Sequence, residues 1–326
     1  MFKRGDKLLI REEAETNPNY GYYPDKRPID KHIKYGVVVI DKPKGPTSHE
    51  VTTWVRKILN VSKTGHGGTL DPNVTGVLPI AIENATKTIQ TWHIPPKEYV
   101  CVMHLHRDTS EDNILNIFKE FTGKIYQRPP LKSAVKKRLR VRKIHNLDLL
   151  EKEGKDVLFK VKCQSGTYIR KLCEDLGEAL GTSAHMQELR RTKSGCFSEK
   201  DAVYLQDLLD AYIFWKEDND EEELRKVIKP LEEGLKHLKK VVVKDSAVNA
   251  ICYGADVFVR GISKLSEDIN KNDLVVVETL KGEAIALGKA LMSSKEMLES
   301  DKGVAVDVER VIMERDLYPK MWKKKK

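Results

Sequence analysis

Gly65-His66-Gly67-Gly68-Thr69-Leu70-Asp71-Pro72-Asn73-Val74-Thr75-Gly76 decides how this chain is read. Its glycines exclude regular secondary structure, and Gly67 and Gly68 permit positive φ and close approach of a ligand to the main chain. Pro72 drives Asp71 into an extended conformation and ends any helix ahead of it. One carboxylate is thus held in a turn near a histidine, with no second acid in the stretch. That suggests a single nucleophile or base rather than a carboxylate pair or a metal cage. An Asx turn, in which Asp71 only caps its own backbone, has the same local signature. The flanking sequence has to separate the two.

Upstream, Gly36-Val37-Val38-Val39-Ile40-Asp41 has the pattern of a buried strand, closed by the turn Lys42-Pro43-Lys44-Gly45-Pro46. Thr47 followed by Glu50 predicts a capping box, and Val51, Val55, Ile58 and Leu59, with Trp54 alongside, form the apolar stripe of its helix. Downstream, strands are expected at Val77–Ile82, Tyr99–His106 and Val157–Gln164, with helices over 111–122 and 169–180. Residues 216–236 are acidic and helical, interrupted by Pro230, and read as a connector. From Leu238 onward short strands alternate with glycine, predicting a small β-barrel-like module with a core of its own. Residues 1–34 are polar and resemble an extended arm that needs another surface for order.

The chain of 326 residues has 58 basic against 49 acidic residues, a net charge of +9 that favours a polyanionic partner such as nucleic acid. The charge is concentrated in Lys132, Lys136, Lys137, Arg138, Arg140, Arg142 and Lys143, and again in Lys323–Lys326. Arg138, Arg140 and Arg142 alternate, so an extended chain would turn all three to one face, a pattern suited to following a phosphate backbone. The five cysteines are dispersed without metal-site spacing, which argues against zinc and against a secreted disulfide scaffold. No signal-peptide core opens the chain and no apolar run reaches membrane-spanning length, so a soluble, cytoplasmic protein with no membrane contact is expected.

Four further motifs bear on chemistry. In Gln164-Ser165-Gly166-Thr167-Tyr168-Ile169-Arg170 a strand ends in a turn and a helix begins near Arg170. An arginine in a first turn opposes the helix dipole and calls for a local anion, for which Asp71 is a candidate. Tyr99 of Lys97-Glu98-Tyr99 either packs in the core or stacks on a base. In Leu189-Arg190-Arg191-Thr192 the arginines suit phosphates while Leu189 faces inward. His104 and His106 share a strand face without a third ligand type and read as non-metal.

Together these motifs resemble the pseudouridine synthases of the bacterial tRNA T-loop type. The matching stretches are Asp41–Ser48, His66–Gly76 with its Thr-Leu-Asp-Pro, Lys97-Glu98-Tyr99, Gly166–Arg170 and Leu189–Thr192, in the family's order over roughly residues 36–200. The C-terminal module resembles a PUA domain. The subgroup it is most similar to is the dyskerin-like catalytic subunits of box H/ACA ribonucleoproteins, and the lack of long lysine- and acid-rich tails points to the archaeal form.

The resemblance implies an α+β fold: a mixed, largely antiparallel sheet flanked by helices in the catalytic domain, plus the small β-barrel-like PUA domain. It implies an arm at 1–34 packing on the PUA domain, a catalytic domain at 35–236, the PUA domain at 237–320 and a basic tail at 321–326. It further implies isomerisation of uridine to pseudouridine without metal or cofactor. Asp71 would be the nucleophile or base and Arg170 its ionic partner. Tyr99 would stack on the uracil and assist loss of the C5 proton, Leu189 would form a pocket wall, and His66 would fill the space of the flipped base. Lys42, Lys44, Lys132, Lys136, Arg138, Arg140, Arg142, Arg190 and Arg191 would contact RNA. The connection His106–Glu111 is short where the bacterial enzymes have a thumb. This implies reliance on guide RNA, a small glycine/arginine-rich subunit, a small zinc-ribbon-like or peptide-like subunit and a kink-turn-binding protein to present tRNA or rRNA. A standalone tRNA enzyme and a binding-only RNA scaffold are the alternatives.

Overall fold

The computed structural model describes residues 8–128 and 138–321. The expected RNA contacts Lys132 and Lys136 lie outside the described residues. Two sheets organise the chain. The larger runs, edge to edge, Ile228–Pro230, Gly36–Lys42, Thr75–Ile82, Ala184–Ser194, Lys97–Leu105, Asp156–Cys163, Arg140–Glu153 and Gly123–Gln127. Neighbours pair antiparallel except at one seam, where Thr75 and Gly76 lie parallel to Arg190 and Arg191. Gly76 adopts φ +102°, and a Cβ there would sit 2.3 Å from the Arg191 carbonyl oxygen, so only glycine lets the two half-sheets meet.

The strands form where alternating or continuous β-branched runs find two-sided cover. Val37 to Ile40 are fully buried. One face meets the helix Ser48–Ile58 and the helix Leu205–Asp218, the other an apolar layer around Trp92 and Phe197. The predicted capping box is present: Thr47 Oγ1 accepts from the Glu50 amide at 3.1 Å, and Glu50 Oε2 accepts from the Thr47 amide at 2.7 Å. Residues 216–236 are more than a connector. After the short helix Glu222–Val227, Ile228–Pro230 adds an edge strand against Gly36–Val38, with Leu224, Ile228 and Leu231 buried. Pro230 suits an edge, where a missing N–H leaves no ladder bond unmade.

The smaller sheet runs Leu8–Ile10, Ile262–Ser266, Lys239–Val243, Leu274–Glu278, Ala284–Ala290, Val304–Val311 and Val257–Phe258, curling into a half-barrel. The arm contributes its edge strand, with Leu8 opposite Ser266. It continues along the same unit through Arg11 Nε to the Met297 carbonyl at 2.9 Å and the Asn17 amide to Asp245 Oδ2 at 2.8 Å. The half-barrel has its own apolar cluster around Val241, Ile262, Val275 and Ile285. A further cluster is shared between the two sheets: Tyr35, Val37, Trp92, Leu231 and Leu235 pack with Val276, Ala284, Leu287 and Ile312. The half-barrel thus has a core of its own, and a second apolar cluster joins it to the larger sheet. Among the described residues no helix is long and apolar enough to cross a membrane.

Candidate active site

Asp71 projects from the loop that enters the parallel seam, and the loop is anchored on both sides of it. Leu70 and Val74 are buried in the cluster that contains Tyr99. Ser48, the first residue of its helix, donates from Oγ to the Leu70 carbonyl at 3.0 Å and accepts from the Leu70 amide at 2.8 Å. The Lys42 ammonium donates to the carbonyls of Pro43, Pro72 and Val74 at 2.9, 3.0 and 2.9 Å. The Gly45 amide adds a bond to the Pro72 carbonyl at 2.9 Å. Gly67 is required by a close approach, since a Cβ would meet the Trp92 ring at 2.6 Å, and Gly68 by its φ of +123°. The aspartate side chain stands half-exposed on a backbone with little freedom left.

Arg170 reaches it from the second residue of the helix Ile169–Ala179, and its Nη2 donates to Asp71 Oδ2. The turn before Arg170 is held in place by neighbours: Gln127 Oε1 accepts from the Tyr168 amide at 3.0 Å, and Arg142 Nε donates to the Gly166 carbonyl at 3.0 Å. Tyr99 is nearly buried on the central strand, and burial pushes its phenol pKa upward, so it stays protonated. His66 ends the strand Thr64–His66; burial foremost, then Arg191, holds its imidazole below the usual range and so neutral. Its Nδ1 is buried without a hydrogen-bond partner among the described residues. Leu189 packs half-buried on the cluster of Leu70 and Tyr99.

The sequence places this constellation. Residues 56–169 match the N-terminal domain of TruB family pseudouridylate synthases, and 170–236 match the C-terminal domain of tRNA pseudouridylate synthase B. Residues 1–52 match a DKCLD domain and 239–312 a PUA domain. A "Probable tRNA pseudouridine synthase B" of Methanocaldococcus jannaschii is 76% identical over 98% of this chain and 96% of its own length. The chain belongs to the TruB family of pseudouridylate synthases. A Pyrococcus furiosus relative of the same name is 57% identical over 98% of this chain and 94% of its own. Two solved structures superpose with a TM-score of 0.92: an H/ACA RNP bound to a substrate RNA containing 2'-deoxyuridine, and a Cbf5-Nop10-Gar1 complex. They are 55% and 57% identical to this synthase, covering 97% and 98% of it and 97% of each matched chain. This synthase is an RNA-modifying isomerase.

Several of the basic residues expected on RNA have other work in the synthase. Lys42 is fully buried under the Asp71 loop, its ammonium enclosed by carbonyls, so no phosphate reaches it. Arg191 is also buried: Nε donates to the Val77 carbonyl at 2.8 Å and Nη2 to the Gly68 carbonyl at 3.1 Å, and the residue lies opposite Tyr99 across the paired strands. Arg190 forms a two-pronged pair with Asp41 at 2.9 and 2.8 Å and bonds Glu199 at 2.6 Å, so its charge is already met. Arg142 is a clasp over the Gly166 turn, and Arg138 precedes the strand that Arg140 begins. Arg138 and Lys44 remain exposed. His104 bonds Asp156 at 2.6 Å and His106 bonds His185 at 3.1 Å; no such group among the described residues converges as a metal site.

Two contributors escaped the sequence reading. Ser48 was quoted only within its motif, although a serine at a helix start already signals a side chain free to bond elsewhere. Lys97 was passed over for its neighbour Tyr99. It is buried, donates to the Trp92 carbonyl at 2.7 Å and Ser194 Oγ at 3.0 Å, and burial followed by Arg191 pushes its pKa down to about 7.

Proposed function

We propose that this synthase is the catalytic subunit of an H/ACA-type ribonucleoprotein and isomerises uridines of tRNA or rRNA presented by a guide RNA. The observation that carries the chemistry is the Asp71–Arg170 pair on a clamped loop beside Tyr99. Asp71 attacks C1′ or removes the 2′ proton, Arg170 fixes the carboxylate, and Tyr99 stacks on the uracil and serves the C5 proton. Leu189 walls the pocket against water, and the neutral His66 occupies the gap left by the flipped base. The assembly is supported by near-full-length similarity to chains solved within H/ACA RNP and Cbf5-Nop10-Gar1 complexes. It is also supported by the loop of only 106–110 between the strand Lys97–Leu105 and the helix Glu111–Phe121, which leaves no grip for a stem-loop there. The partners are then Nop10- and Gar1-like subunits and a kink-turn-binding protein, acting in the cytoplasm.

The curated relatives' tRNA names favour a second reading, in which the synthase also modifies tRNA unaided. Tritium release from C5-labelled uridine separates the two. With every component present, the wild type converts a guide-matched rRNA fragment, Asp71→Asn does not, and both bind RNA alike. Full-rate conversion of that fragment without guide refutes the ribonucleoprotein reading. Asp71→Asn activity within about tenfold of wild type, a barrier change near 1.4 kcal/mol, refutes the nucleophile.

A further inference from the structure

Beneath the Asp71 loop lie three buried basic side chains. Lys42, Lys97 and Arg191 are 0%, 4% and 1% exposed. Among the described residues their hydrogen bonds end on neutral groups: carbonyls for Lys42, a carbonyl and Ser194 Oγ for Lys97, and two carbonyls for Arg191. Among the described residues none of the three makes an ion pair. Elsewhere buried Arg27 meets Glu232 at 2.7 Å and buried Glu278 meets Lys240 at 3.0 Å, while buried Lys281 is a lone lysine held by the Pro18 and Tyr20 carbonyls. An unpaired buried cation is costly to hold, and Lys42 and Arg191, joined by Lys97 while it keeps its proton below about pH 7, leave a positive field beneath the Asp71 loop in a region of low dielectric.

Pseudouridine formation generates the matching charge. Heterolysis of the N1–C1′ bond leaves its electron pair on the uracil as an anion. The sugar carbon bonds to the Asp71 carboxylate or, after loss of the 2′ proton, becomes a glycal. The anion is discharged when C5 bonds to C1′, and the proton then lost from C5 is balanced by one gained at N1. Both routes pass through the same uracil anion, so the choice between them does not affect what must be stabilised. Arg191 stands directly opposite Tyr99 across the paired strands, so its charge lies beside the ring that stacks on the uracil.

We propose that Arg191, buried opposite Tyr99 and reinforced by Lys97 and Lys42, stabilises the departing uracil anion. This rests on the assignment of Asp71 and Tyr99 to the reacting site. Arg191 is a positioning residue whose charge is aimed before the reaction begins, which is how fixed dipoles and ions lower barriers in closed sites.

The test compares uridine with 5-fluorouridine at one target position, in the assembled full-length enzyme, in mildly acidic buffer where both bases are neutral at N3. Fluorine makes the departing base more acidic and lessens its need for an external cation. Single-turnover loss of the parent nucleoside gives the fluorouridine-to-uridine rate ratio for wild type, Arg191→Met, Arg191→Lys and Lys97→Met. The expected result is a ratio about tenfold above wild type in Arg191→Met, a smaller rise in Lys97→Met, and a ratio near wild type in Arg191→Lys. Partial misfolding or a displaced loop slows both substrates alike and leaves the ratio unchanged. A ratio unchanged in both methionine variants overturns the proposal. A wild type that converts neither nucleoside overturns the site assignment instead.

Discussion

Lys97→Met should change how stability depends on pH, because the buried ammonium is charged only at a cost. In the fold its pKa is pushed down to about 7, against 10.5 for the free side chain. Below pH 7 the lysine is protonated both folded and unfolded, and its contribution does not change. From about pH 7 upward the folded protein sheds the proton while the unfolded chain keeps it, up to about 10.5. The unfolded state then binds more protons, so stability rises with pH. The gain attributable to Lys97 is roughly 2.5 kcal/mol between pH 6 and pH 9. Methionine has no proton to lose, although it leaves the Trp92 carbonyl and the Ser194 hydroxyl without their shared donor. Urea unfolding of wild type and variant at several pH values isolates the effect, since every other titrating group is common to both. The wild type should gain on the variant as pH rises. Parallel curves would falsify the view that Lys97 is a desolvated, proton-losing group.

Ser48→Ala removes the hydroxyl that serves both the Leu70 amide and carbonyl, leaving two buried backbone groups unpaired at a cost of about 2 kcal/mol. Thermal unfolding should show that loss and kcat should fall more than KM rises; an unchanged kcat would mean that the clamp does not position Asp71. Truncation after residue 238 uncovers Tyr35, Trp92, Leu231 and Leu235. The shortened chain should bind a hydrophobic dye and aggregate at concentrations where the full chain is monodisperse, and a clean cooperative melt would refute the shared core.

What could be read in the sequence was local. The Thr47–Glu50 box, the break at Asp71-Pro72 and the run Val37–Ile40 depend on residues a few positions apart. The approach of Arg170 to Asp71 was inferable from one anomaly, a cation at the wrong end of a helix. The roles of Lys42 and Arg191 were not inferable from charge. Whether a cation meets solvent or core depends on which way its strand faces and on what crosses it. Here that is set by the seam joining Gly76 to Arg191, far apart in sequence. Ile228–Pro230 was hidden for a similar reason, being a strand of three residues whose identity exists only through Gly36–Val38.

The edge strand Leu8–Ile10 also says something about how this molecule is born. Its ladder partner is Ile262–Ser266, and the bond that closes the junction, Ser263 Oγ to the Glu12 carbonyl, joins residues 251 positions apart. The segment leaves the ribosome 251 residues ahead of the strand that receives it. Closing so long a loop has an entropic cost that grows only slowly with length, but contacts of this range form late. Throughout synthesis the leading strand is an unsatisfied edge, open to pairing with other nascent chains. The charged run Arg11-Glu12-Glu13 that follows it limits that hazard.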